Sequence, residues 1–278
     1  MTSVADVQLA VESLWPAATA EDWDAVGLVA GDPADPVRRI LLAVDAVEAT
    51  AAEAVERGAD VLLVHHPLLL RGATSVAATT PAGRVITRLV RERIALLAAH
   101  TNADAVDRGT SGELASMLGL VDVSPIVVNR VDPEKGLGRV GELPQPVALG
   151  ELVRRLAELV PAVAGGLRAA GHPSAQVRRV AICGGAGDSL LREPAVAGAD
   201  VYITSDLRHH PASDARERHA AGEGPALIDV SHWASESLWL RPAAEQLRAA
   251  LPGVEVEVSE IRTDPWDFAV PQEEQAWH

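Results

Sequence analysis

VRRILLAVDAVEATAAEAVERGADVLLVHH, residues 37–66, reads as strand, helix, strand. VRRILLAVD (37–45) is a short apolar run with β-branched residues, the pattern of a buried strand. AVEATAAEAVERG (46–58) is rich in Ala and Glu and stops at Gly58, as a helix does. ADVLLV (59–64) is a second buried strand, and Pro67, which cannot donate to a sheet ladder, ends it near His65 and His66. A helix over AGRVITRLVRER (82–93) and a third strand over IALLAAH (94–100) extend the alternation. Strands alternating with helices of this length predict parallel βαβ units.

The same stretch has a counterpart. Residues 37–66 align without a gap on VRRVAICGGAGDSLLREPAVAGADVYITSD (177–206) at an offset of 140, with V-R-R and G-A-D-V coinciding. IALLAAHTNAD (94–104) aligns on ALIDVSHWASE (226–236) at an offset of 132, which sets His100 on His232 and Asp104 on Glu236. LGLVDVSPI (118–126) corresponds to LPGVEVEVSEI (251–261). The expected fold class is therefore α/β: two related α/β halves from an internal duplication, with mostly parallel sheets flanked by helices. The expected boundaries are an N-terminal half over 1–126, a connecting region over 127–175, a C-terminal half over 176–268 and a flexible tail over 269–278. The connecting region is rich in Gly and Pro and carries one expected helix, ALGELVRRLAELV (148–160).

Bulk properties narrow the function. The 278 residues carry a net charge of −15, which argues against a non-specific nucleic-acid binder. Cys183 is the single cysteine, so neither a disulfide framework nor a thiolate zinc site is expected. MTSVADVQLAVESLW (1–15) reads as an amphipathic helix, not a signal peptide, and no run approaches the roughly 18 apolar residues that span a bilayer. A cytoplasmic location without membrane attachment is expected.

Three strand ends carry the chemistry. His65-His66 lies at the C-terminal end of a parallel strand, the edge where open α/β sheets place ligands. Adjacent strand residues face opposite ways, so these two imidazoles are better suited to two neighbouring ions than to one. His100-Thr-Asn-Ala-Asp104 follows the next strand end, and Asp229-Val-Ser-His232-Trp-Ala-Ser-Glu236 repeats the spacing in the second half. In both, a helical turn brings histidine and carboxylate to one side. His65, His66, Asp104, His232 and Glu236 form an imidazole and carboxylate set that suits Zn, Mn, Fe, Co or Ni. Five side chains cannot close two four-coordinate shells, so water completes them, as in catalytic dimetal sites.

Weaker features have plainer readings. C-G-G-A-G-D-S (183–189) is read as a tight turn capped by Asp188 or Ser189, in preference to a phosphate cradle. His209, His210 and His219, with Arg208, Arg216 and Arg218, read as a solvated helix face. Asp45 is placed to hydrogen-bond a ligand histidine, a role its counterpart Gly185 cannot share. Trp23-Asp24 reads as a structural anchor.

H-H-P, H-x-N-x-D and the distant D-x-x-H-x-x-x-E resemble the motifs of the Nif-three-like dinuclear metal-centre family, whose members often carry the name of type-two GTP cyclohydrolase I homologues. W-D-x-V-G-L (23–28), G-L-G-R-V-G (136–141), C-G-G-A-G (183–187) and T-D-P-W (263–266) agree with it. The resemblance implies a dimetal site in the cleft between the halves and a toroidal homohexamer with the sites facing an internal cavity. Its metal ligands fall on the same five residues, with Asp104 or Glu236 as bridge and His100 close by, supporting the ligands. Two departures stand out. At 278 residues the chain has no room for the domain that longer relatives insert, and Asp206 stands where many relatives have glutamate. The expected function is a metal-dependent hydrolase holding two divalent ions and acting on a small polar substrate, nucleotides included. The alternative is a non-catalytic oligomer that stores, delivers or senses divalent metal. No residue is identified for substrate binding, and both readings expect a homo-oligomer.

Overall fold

The apolar runs pair into two mixed sheets, each covered by helices on both faces, in the computed structural model, which describes residues 1–270. The tail expected over 269–278 lies, from Pro271 onward, outside the described residues.

The first sheet has the order β1 (Gly27–Ala30), β4 (Ala95–Ala98), β3 (Val61–His66), β2 (Arg39–Asp45), β13 (Glu255–Val258). Its last four strands run parallel, and β1 adds an antiparallel edge. Because strand residues alternate between faces, Ile40, Leu42, Leu63 and Leu97 meet α1 (Val4–Leu14) and α10 (Leu240–Ala250). Leu41, Leu62, Val64 and Leu96 meet α2 (Glu48–Glu56) and α3 (Pro81–Arg91) on the other face. Burial on both faces explains why β2 and β3 read as unbroken apolar runs.

The second sheet has the order β5 (Val121–Ser124), β8 (Arg139–Ala148), β10 (Gln176–Ala186), β11 (Val201–Ser205), β12 (Ala226–Val230), β9 (Arg168–Ala170). Only β10, β11 and β12 are parallel, so this sheet is more mixed than expected. Its faces are covered by α5 (Thr110–Met117), α6 (Leu149–Leu159) and α9 (His232–Ser237) on one side. The short α7 (Pro194–Ala197) and α8 (His209–Ala220) cover the other. A two-stranded ribbon, β6 (Val127–Val128) with β7 (Gly136–Leu137), lies beside α4 (Thr101–Ala105).

Sheet membership departs from chain order in two ways. Residues 127–175 supply β8, β9 and α6, so the expected connecting region is built into the second sheet. Pro144 and Pro146 hid β8 from a propensity reading. They sit in a bulge where the β8–β10 register shifts between Val177 and Arg179, a place where a missing N–H costs no ladder bond. The closing segments are also exchanged: β13 completes the first sheet beside β2, and β5 joins the second beside β8. Each half thus lends its last strand to the other sheet, and the boundaries 1–126 and 176–268 divide the chain without dividing the sheets.

The strand–helix–strand correspondence has a local counterpart in hydrogen bonding. Asp60 Oδ2 accepts from the amides of Arg38 and Arg39 at 2.7 and 3.0 Å, and Asp200 Oδ2 accepts from those of Arg178 and Arg179 at 2.8 Å each. Both pairs stand at the same offset of 140 and tie the start of one strand to the start of the next.

The exchange predicts that α10 is a core element of the first sheet. Leu247→Ala, at a fully buried position there, is expected to cost about 2–5 kcal/mol of stability, read as a lowered urea midpoint with an unchanged slope.

Candidate metal centre

His65 and His66 end β3, whose pairing with β4 stops at Val64. The two rings lie close, with centroids 5.1 Å apart, although β3 still pairs with β2 as far as His66. His65 is fully buried against Trp239, and its Nδ1 donates to the Ala99 carbonyl at 2.9 Å. A carbonyl only accepts, so the proton is on Nδ1 and Nε2 faces inward. That Nε2 has no hydrogen-bond partner; it lies 3.5 Å from Glu236 Oε1 and 3.7 Å from Asp104 Oδ1.

The other three imidazoles are held the same way, by carboxylates. Asp45 takes His66 Nδ1 at 2.7 Å, Asp206 takes His232 Nδ1 at 2.7 Å, and Asp24 takes His100 Nδ1 at 2.9 Å. Asp45 thus has the role read from the sequence, and Asp206 performs its support with the shorter side chain. Such contacts fix ring orientation and raise the basicity of the inward nitrogen. The inward nitrogens of His66 and His232 are 3.1 Å apart, too close for two rings that both carry a proton there.

The carboxylates come from helix starts. Ser231 caps α9, and one helical turn carries Glu236 back to His232 Nε2 at 2.9 Å. Glu236 is 3% exposed, and its Oε2 lies 2.8 Å from His66 Nε2 without the alignment of a hydrogen bond. Asp104, one turn after His100 in α4, accepts a hydrogen bond from Thr110 Oγ1.

The glycine loop serves as a floor for these carboxylates. Gly185 has φ +72°, and a Cβ there would lie 2.3 Å from Glu236 Oε1, so the position is confined to glycine by space as well as conformation. The amides of Gly184 and Gly185 donate to Ser111 and Ser235, which occupies the N–H groups that a phosphate cradle would need. The 3₁₀ turn that follows leaves Asp188 paired with Arg208. His209 and His210 are exposed on α8, in keeping with a solvated face.

Burial alone would push His66 and His232 toward neutrality. The Glu236 carboxylate outweighs it, with Asp45 and Asp206 adding to the effect, and raises them to about 11 and about 10. Burial likewise works against ionisation of Glu236, and the imidazoles of His66, His65 and His232 hold it well below the usual carboxylate range. Asp104 is raised, chiefly by burial. A buried anion ringed by imidazoles asks for positive charge at this spot.

Two groups of donor atoms converge within 4.8 Å: His65, His66 and His100; and His66, His232 and Glu236. Four of the five residues read from the sequence, His65, His66, His232 and Glu236, stand in these groups; the fifth, Asp104, is in neither, with its Oδ1 3.7 Å from His65 Nε2. His100 stands closer than a supporting role requires. Asp24 departs from its reading as a plain anchor: its fully buried carboxylate also accepts from the Thr101 amide at 3.0 Å and from Thr101 Oγ1. Its position in W-D-x-V-G-L was the available signal. Of the donor residues, His66 and His232 line a cleft of ≈ 830 Å³, together with Arg168, Arg208, Trp233 and Trp266.

Fold and donor set together define a family. Residues 2–265 match the model of Duf34/NIF3 (NGG1p interacting factor 3), and the chain belongs to that family. It is 49% identical over 272 residues to a GTP cyclohydrolase 1 type 2 homolog of Streptomyces coelicolor, covering 96% of this chain and 94% of that one. A Mycobacterium tuberculosis protein of the same name is 36% identical over 375 aligned positions, more than the 278 residues present here, so that relative carries inserted sequence. Among solved structures, Staphylococcus aureus protein SA1388 superposes with a TM-score of 0.86 at 28% identity, over 96% of this chain and 99% of that one. A Bacillus cereus protein related to NIF3 gives 0.86 at 22% identity, over 96% and 99%, a likeness of fold.

The raised imidazoles imply that metal uptake at neutral pH displaces protons. Calorimetry in buffers of different ionisation enthalpy should show at least about one proton released per chain at pH 7, and apparent affinity should rise about tenfold per pH unit for each proton displaced.

Proposed function

We propose that this protein is a dinuclear metal-dependent hydrolase acting on a small polar substrate. One observation carries the reading. Four imidazoles have Nδ1 occupied, three of them (His65, His66 and His232) turn Nε2 toward the buried Glu236 carboxylate, and two of the inward atoms, His65 Nε2 and Glu236 Oε2, have no hydrogen-bond partner. Buried polar atoms without partners are rare and expensive, and a cation supplies what both atoms lack.

His65, His66, Asp104, His232 and Glu236 would hold the ions, with His100 completing the group around His65 and His66. Glu236 would offer metal both of its oxygens, which face His232 and His66. Imidazole and carboxylate donors accept Zn, Mn, Fe, Co or Ni. Divalent ions so placed lower the pKa of water and stabilise developing negative charge. Asp45, Asp206 and Asp24 keep the imidazoles oriented, and the adjoining cleft has the volume of a small-molecule site. The name shared by the relatives puts GTP on the list of substrates to try. We also propose a homohexamer, which sedimentation would show as six times the 29.1 kDa chain mass.

Elemental analysis of protein purified without added metal tests the reading, with His66→Ala alongside and a nucleotide and ester panel run on the wild type. About two ions per chain are expected, as in two-metal sites, with at least about half lost in the variant and turnover of one panel class. Metal without any turnover would favour a storage, delivery or sensing role. No metal after reconstitution would end the dimetal reading.

A further inference from the structure

The segment that follows β13 crosses from the first sheet to the site and ends in Thr263-Asp264. Thr263 Oγ1 donates to Asp45 Oδ2, while Asp45 Oδ1 accepts from His66 Nδ1. Both oxygens of the carboxylate that steers His66 are therefore claimed, one by the imidazole and one by the threonine hydroxyl. The next residue reaches the other half: Ser231 Oγ donates to Asp264 Oδ2 at 2.6 Å. The same Ser231 oxygen accepts from the Ala234 amide as the N-cap of α9, the helix that carries His232 and Glu236. Asp264 is itself set by the Trp266 amide, which donates to its Oδ1 at 3.1 Å.

We infer that Thr263 and Asp264 are positioning residues that align the His66 and His232 clusters with each other across the cleft. Asp45 is about one-quarter exposed, so without a second partner its carboxylate is free to rotate and take water on Oδ2. Thr263 removes that freedom and keeps the carboxylate in line with the His66 ring. Asp264 acts through the cap: with its hydroxyl proton committed to Asp264, Ser231 presents a lone pair to the Ala234 amide, and the start of α9 is held in place. Neither residue reaches the centre itself. Their joint effect is on the relation between His66, at the end of β3 in the first sheet, and His232, at the start of α9 after the second sheet's β12, whose inward nitrogens are 3.1 Å apart. The inference rests on the metal reading proposed above.

Cobalt(II) titration of the full-length protein, followed by visible absorption, tests it with Thr263→Val, Thr263→Ser and Asp264→Asn beside the wild type. Valine keeps the shape and removes the hydroxyl, so affinity is expected to fall about tenfold and the absorption band to shift, with serine restoring both. Asp264→Asn is expected to weaken binding by a smaller factor. Wild-type binding with Thr263→Val unchanged in affinity and spectrum would overturn the inference alone. Equal weakening by valine and serine would overturn it too, by placing the effect in packing. A wild type that takes up no cobalt would overturn both this inference and the metal reading. Thermal melts of the cobalt-free variants within a few degrees of wild type show that the fold is kept; if Thr263→Val fails to fold, the serine and Asp264→Asn results decide.

Discussion

A carboxylate buried to 3% exposure sits where two sheets meet, and much of the site follows from the need to compensate it. Taking an ionised Glu236 out of water is costly unless positive charge stands beside it. The chain answers with imidazoles, whose second nitrogens are fixed by Asp45, Asp206, Asp24 and the Ala99 carbonyl. Gly185 makes room for the carboxylate and Trp239 closes the space behind His65. Protons can meet the requirement in part, but two imidazole nitrogens 3.1 Å apart cannot both carry one comfortably. A cation held there would compensate the carboxylate without that conflict.

The exchanged strands explain how such a requirement is met between two sheets. Chains that merely juxtapose two α/β units leave the interface free to slide. Here α10 and β13 belong to the core of the first sheet although they follow the second in sequence, and α5 and β5 do the converse. Each sheet is thereby anchored to the end of the other's chain. Arg139, almost fully buried, adds a polar tie: its guanidinium donates to the carbonyls of Gly136 and Gly138 on one side and of Ala105 and Val106 on the other. That links the start of β8 to the residues just after Asp104.

Much of this could be read before any coordinates. The apolar runs at 37–45 and 59–64, the Gly58 stop and the matched spacing of 37–66 with 177–206 follow from local chemistry, and β2, α2 and β3 lie where those signals put them. The candidate group of His65, His66, His232 and Glu236 was legible because imidazoles are out of place at the ends of buried strands and a carboxylate four residues on shares one side of a helical turn. What was hidden is non-local. β8 carries two prolines whose bulge is visible only against its partner β10, and nothing between residues 251 and 261 says which sheet its strand will join. That the rings of His65 and His66 lie 5.1 Å apart is not what the alternation of a strand foretells. Asp24 is 76 residues from the imidazole it holds, and Thr263 is 218 from the carboxylate it holds; no periodicity reports such contacts.

The exchange of strands also bears on how the molecule is made. During synthesis β2 emerges early, yet the strand that pairs with its outer edge lies at Glu255–Val258. Until the ribosome has passed that point, the nascent first sheet has an open edge and an apolar face that α1 covers only in part before α10 is made. Open edges and uncovered faces on growing chains invite mispairing and capture by holding factors. Completion of the first sheet therefore waits until residues 255–258 have been made, after every strand of the second sheet.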